Sequence, residues 1–163
     1  MNRALLLLLI SFLLISCGSK KGISESRSSY KRSHKVNPKT KSIVKTAMDF
    51  EGTRYKYGGT TKKGMDCSGL IYTSFKKQNI ELPRTSRAMY GKGVKIPLKK
   101  ATVGDLLFFK TNKNRNVINH VGLIVSTKNR IEFIHASSSK GVTISSLNER
   151  YWNNCFVGVK RIL

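Results

Sequence analysis

Three side chains in this sequence carry the chemistry of a nucleophilic site: Cys67, His120 and His135. A thiol attacks as its thiolate, so a nucleophilic cysteine needs a lowered pKa, a base within reach, or both. Cys67 follows Asp66, a favoured N-cap residue, and precedes the apolar stripe Leu70, Ile71 and Phe75. The pattern predicts a helix opening at Asp66-Cys67-Ser68, with the thiol in its first turn. There the unpaired N–H groups and the positive end of the helix dipole lower a thiol pKa, and the same N–H groups can donate to an oxyanion. The base must be a histidine, and the chain has three. His34 lies in a polar, basic stretch. His120 opens the strand pattern Val121-Gly122-Leu123-Ile124, and His135 closes Ile131-Glu132-Phe133-Ile134. Period-two alternation puts His135 on the face of Ile131 and Phe133; if that face meets the Cys67 helix, His135 points inward and can orient His120 as a third member. An inward histidine also serves as an ordinary core hydrogen-bonding residue, and that alternative stays open. Zinc binding is the competing use of Cys and His, but the sequence has no C-x-x-C or H-x-x-x-H pair.

The elements that must position these residues follow from periodicity and punctuation. Ile43, Val44, Ala47, Met48 and Phe50 recur at helical spacing, predicting a first helix from Lys41 to about Glu51-Gly52. Residues 55–65 read as a loop punctuated by Gly58-Gly59 and Gly64, and Pro83 with Thr85-Ser86 introduces a short third helix to about Tyr90. After Val103-Gly104-Asp105 the pattern changes to strands, at 106–110, 120–126, 130–136, 142–145 and 156–162. Helices followed by short strands at hairpin spacing predict an α+β domain, with a helical layer packed on an antiparallel sheet of about five strands.

The amino terminus reads differently. Arg3 precedes an apolar run over 4–15, broken only by Ser11 and followed by Ser16-Cys17-Gly18-Ser19. That run is shorter than the roughly 20 residues of a membrane-spanning helix and reads as an export signal. Leu14-Ile15-Ser16-Cys17 resembles the bacterial lipobox, which implies removal of residues 1–16 and lipidation of Cys17 as the first mature residue. A plain signal peptide with an incidental cysteine is the alternative. Residues 17–39 are rich in Ser, Lys, Arg and Gly and read as a tether, leaving 40–163 as one domain. Cys155 reads as a half-buried strand residue rather than a disulfide partner of Cys67. The formal net charge of +23 invites a nucleic-acid reading. The basic residues are dispersed over the polar positions of amphipathic segments, however, and an exported chain meets anionic lipid, wall polymers or acidic peptides instead.

Five blocks in order carry a family resemblance: Tyr55-Lys56-Tyr57-Gly58-Gly59 leading to Asp66-Cys67-Ser68-Gly69-Leu70; Leu82-Pro83-Arg84-Thr85-Ser86; Val103-Gly104-Asp105-Leu106-Leu107-Phe108-Phe109; His120-Val121-Gly122-Leu123-Ile124; and Phe133-Ile134-His135-Ala136-Ser137. Together they resemble the NlpC-type cell-wall peptidases over about residues 40–163. The resemblance implies a papain-like fold with Cys67, His120 and His135 as the catalytic set, and no metal or organic cofactor. It implies that Tyr55 lies near the nucleophile to hold substrate or oxyanion, and that Asp66 and Ser68 lie around the acyl-side pocket. Tyr55 as a packed rim residue and Asp66 as a helix cap alone remain open. The implied activity is cysteine endopeptidase action on murein stem peptides or their cross-links. The expected partners are therefore peptidoglycan peptides and, through Cys17, a bacterial membrane; no nucleic acid is expected, and the chain is expected to be a monomer on the periplasmic side of an outer membrane. The alternatives are a non-catalytic wall-binding lipoprotein and an acyltransferase on the same fold.

Overall fold

The computed structural model describes residues 37–112, 114 and 116–163. The export signal, Cys17, His34 and nearly all of the tether lie outside the described residues.

Helix α1 (Pro38–Met48) starts a turn earlier than its apolar spacing indicates, because Asn37 caps it. The Asn37 Oδ1 accepts from the Lys39 N–H at 2.9 Å, and Pro38 sits at the first helical position, where its missing N–H costs nothing. Ile43 and Ala47, one turn apart, are its buried stripe. A two-stranded hairpin, β1 (Thr60–Thr61) and β2 (Gly64–Met65), leads into α2 (Cys67–Lys76). Asp66 caps α2, accepting from the Gly69 N–H at 2.7 Å, so Cys67 is the first helical residue. Thr85 caps the short α3 (Ser86–Tyr90).

The remaining strands are β3 (Val94–Ile96), β4 (Leu106–Phe109), β5 (His120–Ser126), β6 (Glu132–Ser137), β7 (Gly141–Ser146) and β8 (Phe156–Arg161). A six-residue helix, α4 (Arg150–Cys155), joins β7 to β8. The strands form one antiparallel sheet in the order β3-β8-β4-β5-β6-β7. It has six strands rather than five. The extra one, β3, is a short edge strand with exposed Val94 and Lys95, too brief and too polar for alternation to show. Cys155 ends α4 rather than lying in a strand, and its carbonyl accepts from the Lys110 N–H.

Both faces of the sheet are covered, and strand alternation sorts their residues cleanly. Leu106, Phe108, Val121, Leu123, Ile134, Ala136 and Val142 pack against α1 and α2, with Ile43, Ala47, Leu70, Ile71 and Phe75 opposite them. Leu107, Phe109, Ile124, Phe133 and Val159 point the other way and are closed over by Leu147 and by Trp152 of α4. Each such fully buried large side chain contributes roughly 1.5–3 kcal/mol. The Val103-Gly104-Asp105 turn ends in a clamp: Arg161 Nε donates to Asp105 Oδ1 at 2.7 Å and its Nη2 to Oδ2 at 2.8 Å, tying the end of β8 to the start of β4.

Candidate active site

Cys67, His120, His135 and Tyr55 all line one cleft of about 450 Å³, together with Thr111, Asn119, Ser145 and Trp152 among others. They reach it from different directions. Phe133 and His135 share the face that packs under Trp152, and His120 is on that face too, against Phe109 and Trp152. The face of β6 that meets α2 is the other one, with Ile134 and Ala136. The condition that the His135 face meet the Cys67 helix is therefore not met, although both residues line the one cleft. The thiol approaches from the helical side at the start of α2, and the Val121 backbone N–H, next to His120, hydrogen-bonds to it.

The loop before α2 is drawn tight onto the helix start. Gly69 has no side chain because an added Cβ would lie 2.0 Å from the Gly59 carbonyl oxygen. Asp66 is surrounded by donors: the Gly69 N–H and Arg84 Nη1 on Oδ1, at 2.7 and 2.9 Å, and the Gly58 N–H and Arg84 Nη2 on Oδ2, at 2.7 and 3.0 Å. Arg84 Nη1 also donates to Ser68 Oγ at 2.9 Å, and Nη2 to the Gly59 carbonyl at 3.2 Å. Burial pushes the Asp66 carboxyl up, but the Arg84 bonds and the two backbone N–H groups outweigh it and hold the carboxyl below its ordinary range. Asp66 and Ser68 thus stand behind Cys67 with their polar atoms engaged inside the protein, and neither lines the cleft. Tyr55 does line it, half-buried; burial and then the neighbouring Cys67 and Asp66 push its hydroxyl up.

His120 Nε2 lies 3.1 Å from His135 Nδ1, and His135 Nε2 lies 3.0 Å from Ser145 Oγ. For His120 to take a proton on Nδ1, its Nε2–H must donate to His135, whose own Nε2–H then donates to Ser145. One direction of donation runs through all three. Gly122 makes room for this set: a Cβ there would lie 2.4 Å from the Phe133 ring, which packs beside His135 with ring centroids 5.1 Å apart.

The protonation states differ from the sequence expectation at the thiol. Burial pushes Cys67 up to about 11; the N–H groups of Val121, Ser68 and Cys67 itself pull the other way, as a helix start should, and lose to desolvation. Burial also drives His120 down to about 3, reinforced by His135, and His135 down to about 4, reinforced by the charge of Lys140. At neutral pH the site therefore rests as a thiol beside neutral imidazoles. Such a site can lose the thiol proton to a base already deprotonated, and can hand that proton on to a leaving group.

Nothing in the sequence marks Ser145, Trp152 or Arg84 for chemistry. Ser145 follows from the strand register: β7 pairs Thr143 with His135, so Ser145 is the diagonal neighbour on the same face. Trp152 lies on α4, which carried no helical periodicity, and Arg84 finds Asp66 only through the tertiary fold.

A thiol at a helix start and a histidine pair on an antiparallel sheet thus share one cleft of an α+β domain. The chain belongs to the NlpC/P60 family, whose sequence profile matches residues 52–161. It is 40% identical over 124 residues to the probable endopeptidase NlpC homolog of Haemophilus influenzae, an alignment covering 76% of this chain and 63% of that protein. It is 38% identical over 122 residues to the murein DD-endopeptidase MepS/murein LD-carboxypeptidase of Escherichia coli K12, covering 74% of this chain and 62% of that one. This chain thus spans a little under two thirds of both relatives. Among solved structures, a Staphylococcus aureus protein described as similar to lipoprotein, NLP/P60 family, superposes with a TM-score of 0.68 at 30% identity, covering 78% of this chain and 42% of that one.

Proposed function

We propose that this protein is a peptidoglycan endopeptidase, a cysteine peptidase that hydrolyses amide bonds of murein stem peptides or their cross-links. The observation that carries the reading is the His120–His135 bond of 3.1 Å in the cleft that Cys67 also lines. The name of the Escherichia coli relative as a murein endopeptidase supplies the substrate class. In the first step His120 Nδ1 takes the Cys67 proton as the sulfur attacks the amide carbonyl. The N–H groups at the start of α2 face the oxyanion, and His120 then gives its proton to the leaving amine. Water, deprotonated by the same imidazole, hydrolyses the acyl-enzyme. His135, held by Ser145, keeps His120 in the tautomer this requires. Tyr55, which lines the same cleft, helps to hold the substrate or the oxyanion. Residues 1–16 act as a lipoprotein signal and Cys17 carries the lipid, so the enzyme works on the wall from a membrane, the periplasmic side of an outer membrane being preferred.

Mass spectrometry of muropeptides after digestion of purified wall tests this. The wild-type chain should release hydrolysed stem peptides whose masses identify the bond, and Cys67→Ala should release none. Intact wall after exposure to wild type would leave a wall-binding protein, and products with a new amide in place of water would make it an acyltransferase.

A further inference from the structure

The histidine pair has a lid that the proposed chemistry does not yet use. Trp152 is the one tryptophan of the chain and sits on a surface helix whose neighbours Tyr151, Asn153 and Asn154 are exposed, yet it is itself only 9% exposed. Its burial is against imidazoles as much as hydrocarbon. The indole stacks on His120 with ring centroids 5.2 Å apart and planes 27° apart, and meets His135 nearly edge-on at 4.6 Å and 69°. Phe109 and Phe133 hold it from below, at 5.1 and 5.4 Å.

Three consequences follow from that placement. A half-turn of the His120 ring would put Cε1 in the place of Nε2 and Cδ2 in the place of Nδ1, breaking the bond to His135, and a flat ring packed on its face resists such a turn. The indole also keeps water away from a buried hydrogen bond that water would otherwise compete for. When His120 holds the thiol proton it is a cation lying over the richest π face among the side chains, and that contact favours the charged form.

We infer that Trp152 is a positioning residue for the reaction: it seals the His120–His135 bond, fixes the ring that serves Cys67, and stabilises the transient imidazolium through its aromatic face. This rests on the proposed hydrolysis for its kinetic consequence but not for its structural one.

The test compares the full chain with Trp152→Phe, which keeps an aromatic face, and Trp152→Leu, which keeps only apolar bulk. Turnover of one defined muropeptide and long-range nitrogen–proton NMR of the histidine rings are read on each. His120 should be a single Nε2–H tautomer in the wild type. Trp152→Phe should keep that state with kcat within about fivefold, and Trp152→Leu should show mixed tautomers with kcat down about tenfold or more and KM within about threefold, the scale of losing one cation–π contact. Equal kcat and the same tautomer in the Phe and Leu variants would reduce Trp152 to a space-filler and overturn the inference. A wild-type His120 protonated on Nδ1 overturns it without any variant, so misfolding of Trp152→Leu cannot shelter it. If no protein turns over the muropeptide, the hydrolytic reading fails, and the tautomer measurements still decide this one.

Discussion

Replacing Arg84 with methionine should cost this domain roughly 2–3 kcal/mol, although Arg84 touches no residue of the histidine pair. Asp66 is 9% exposed at its side chain and Arg84 34%. Methionine retains the apolar stem but removes four bonds: two to Asp66, one to Ser68 and one to the Gly59 carbonyl. Stripping one partner from a buried ion pair costs about 3–5 kcal/mol. The Gly58 and Gly69 N–H groups remain on the carboxylate, and a third of Arg84 already faces solvent, which places the loss at or just below the bottom of that range. Losing one positive charge from a chain at +23 relieves some repulsion, so the measured loss slightly understates the contacts. For a domain of this size the melting temperature should fall by about 6–15 °C. The pH dependence gives the second reading. Asp66 has its carboxyl held below its unfolded value, so its contribution is fully present above the unfolded pKa near 3.9 and is lost as pH falls through the folded value. The gap between wild type and Arg84→Met should therefore be constant from pH 7 to 5 and narrow below about pH 4. Thermal and urea melts at pH 7, 5 and 3 measure it, with Asp66→Asn and the double variant completing a cycle whose coupling should be about 1–2 kcal/mol. An Arg84→Met protein melting within about 2 °C of wild type at pH 7, with no narrowing in acid, would falsify the view that this pair fixes the helix start behind Cys67.

Other outcomes follow from the same geometry. Cys155→Ala should retain muropeptide hydrolysis, since Cys155 is a free thiol outside the cleft; loss of activity there with Cys67→Ala still active would move the nucleophile. His120→Ala should lose nearly all turnover, whereas His135→Asn or His135→Gln, which can still accept from His120 Nε2, should stay above His135→Ala; a folded, fully active His135→Ala would leave a Cys67–His120 dyad. Because burial holds both histidines below their unfolded pKa near 6.5, the unfolded chain binds more protons below that pH, and stability should fall on acidification from pH 6.5 to 5 by on the order of 3 kcal/mol. Urea melts of wild type and His120→Gln show it as a shallower acid limb in the variant, and parallel limbs would speak against neutral buried imidazoles. Cys17→Ala should release the domain from membranes without slowing hydrolysis of soluble muropeptides; a wild-type chain that takes up no fatty-acid label removes the anchor.

What the sequence determined alone is whatever depends on near neighbours. Asp66 before Cys67 sets a helix start because the cap bond spans three residues, and the alternation through 120–124 and 131–136 makes strands because period two is a property of the chain itself. Those local rules put a thiol on a helix end and two imidazoles on strands. They could not say which strand face meets the helix, because residues 133–136 are buried on both sides and alternation then has no polar face to mark the outside. Only the tertiary structure turned Phe133 and His135 away from α2, brought Ser145 to His135 through the β6–β7 register, and laid Trp152 over His120 from a helix too short to show a period. The thiol pKa was decided there as well. A helix start lowers it by a local dipole, but burial depends on everything packed around the sulfur, and in this fold desolvation is the larger of the two.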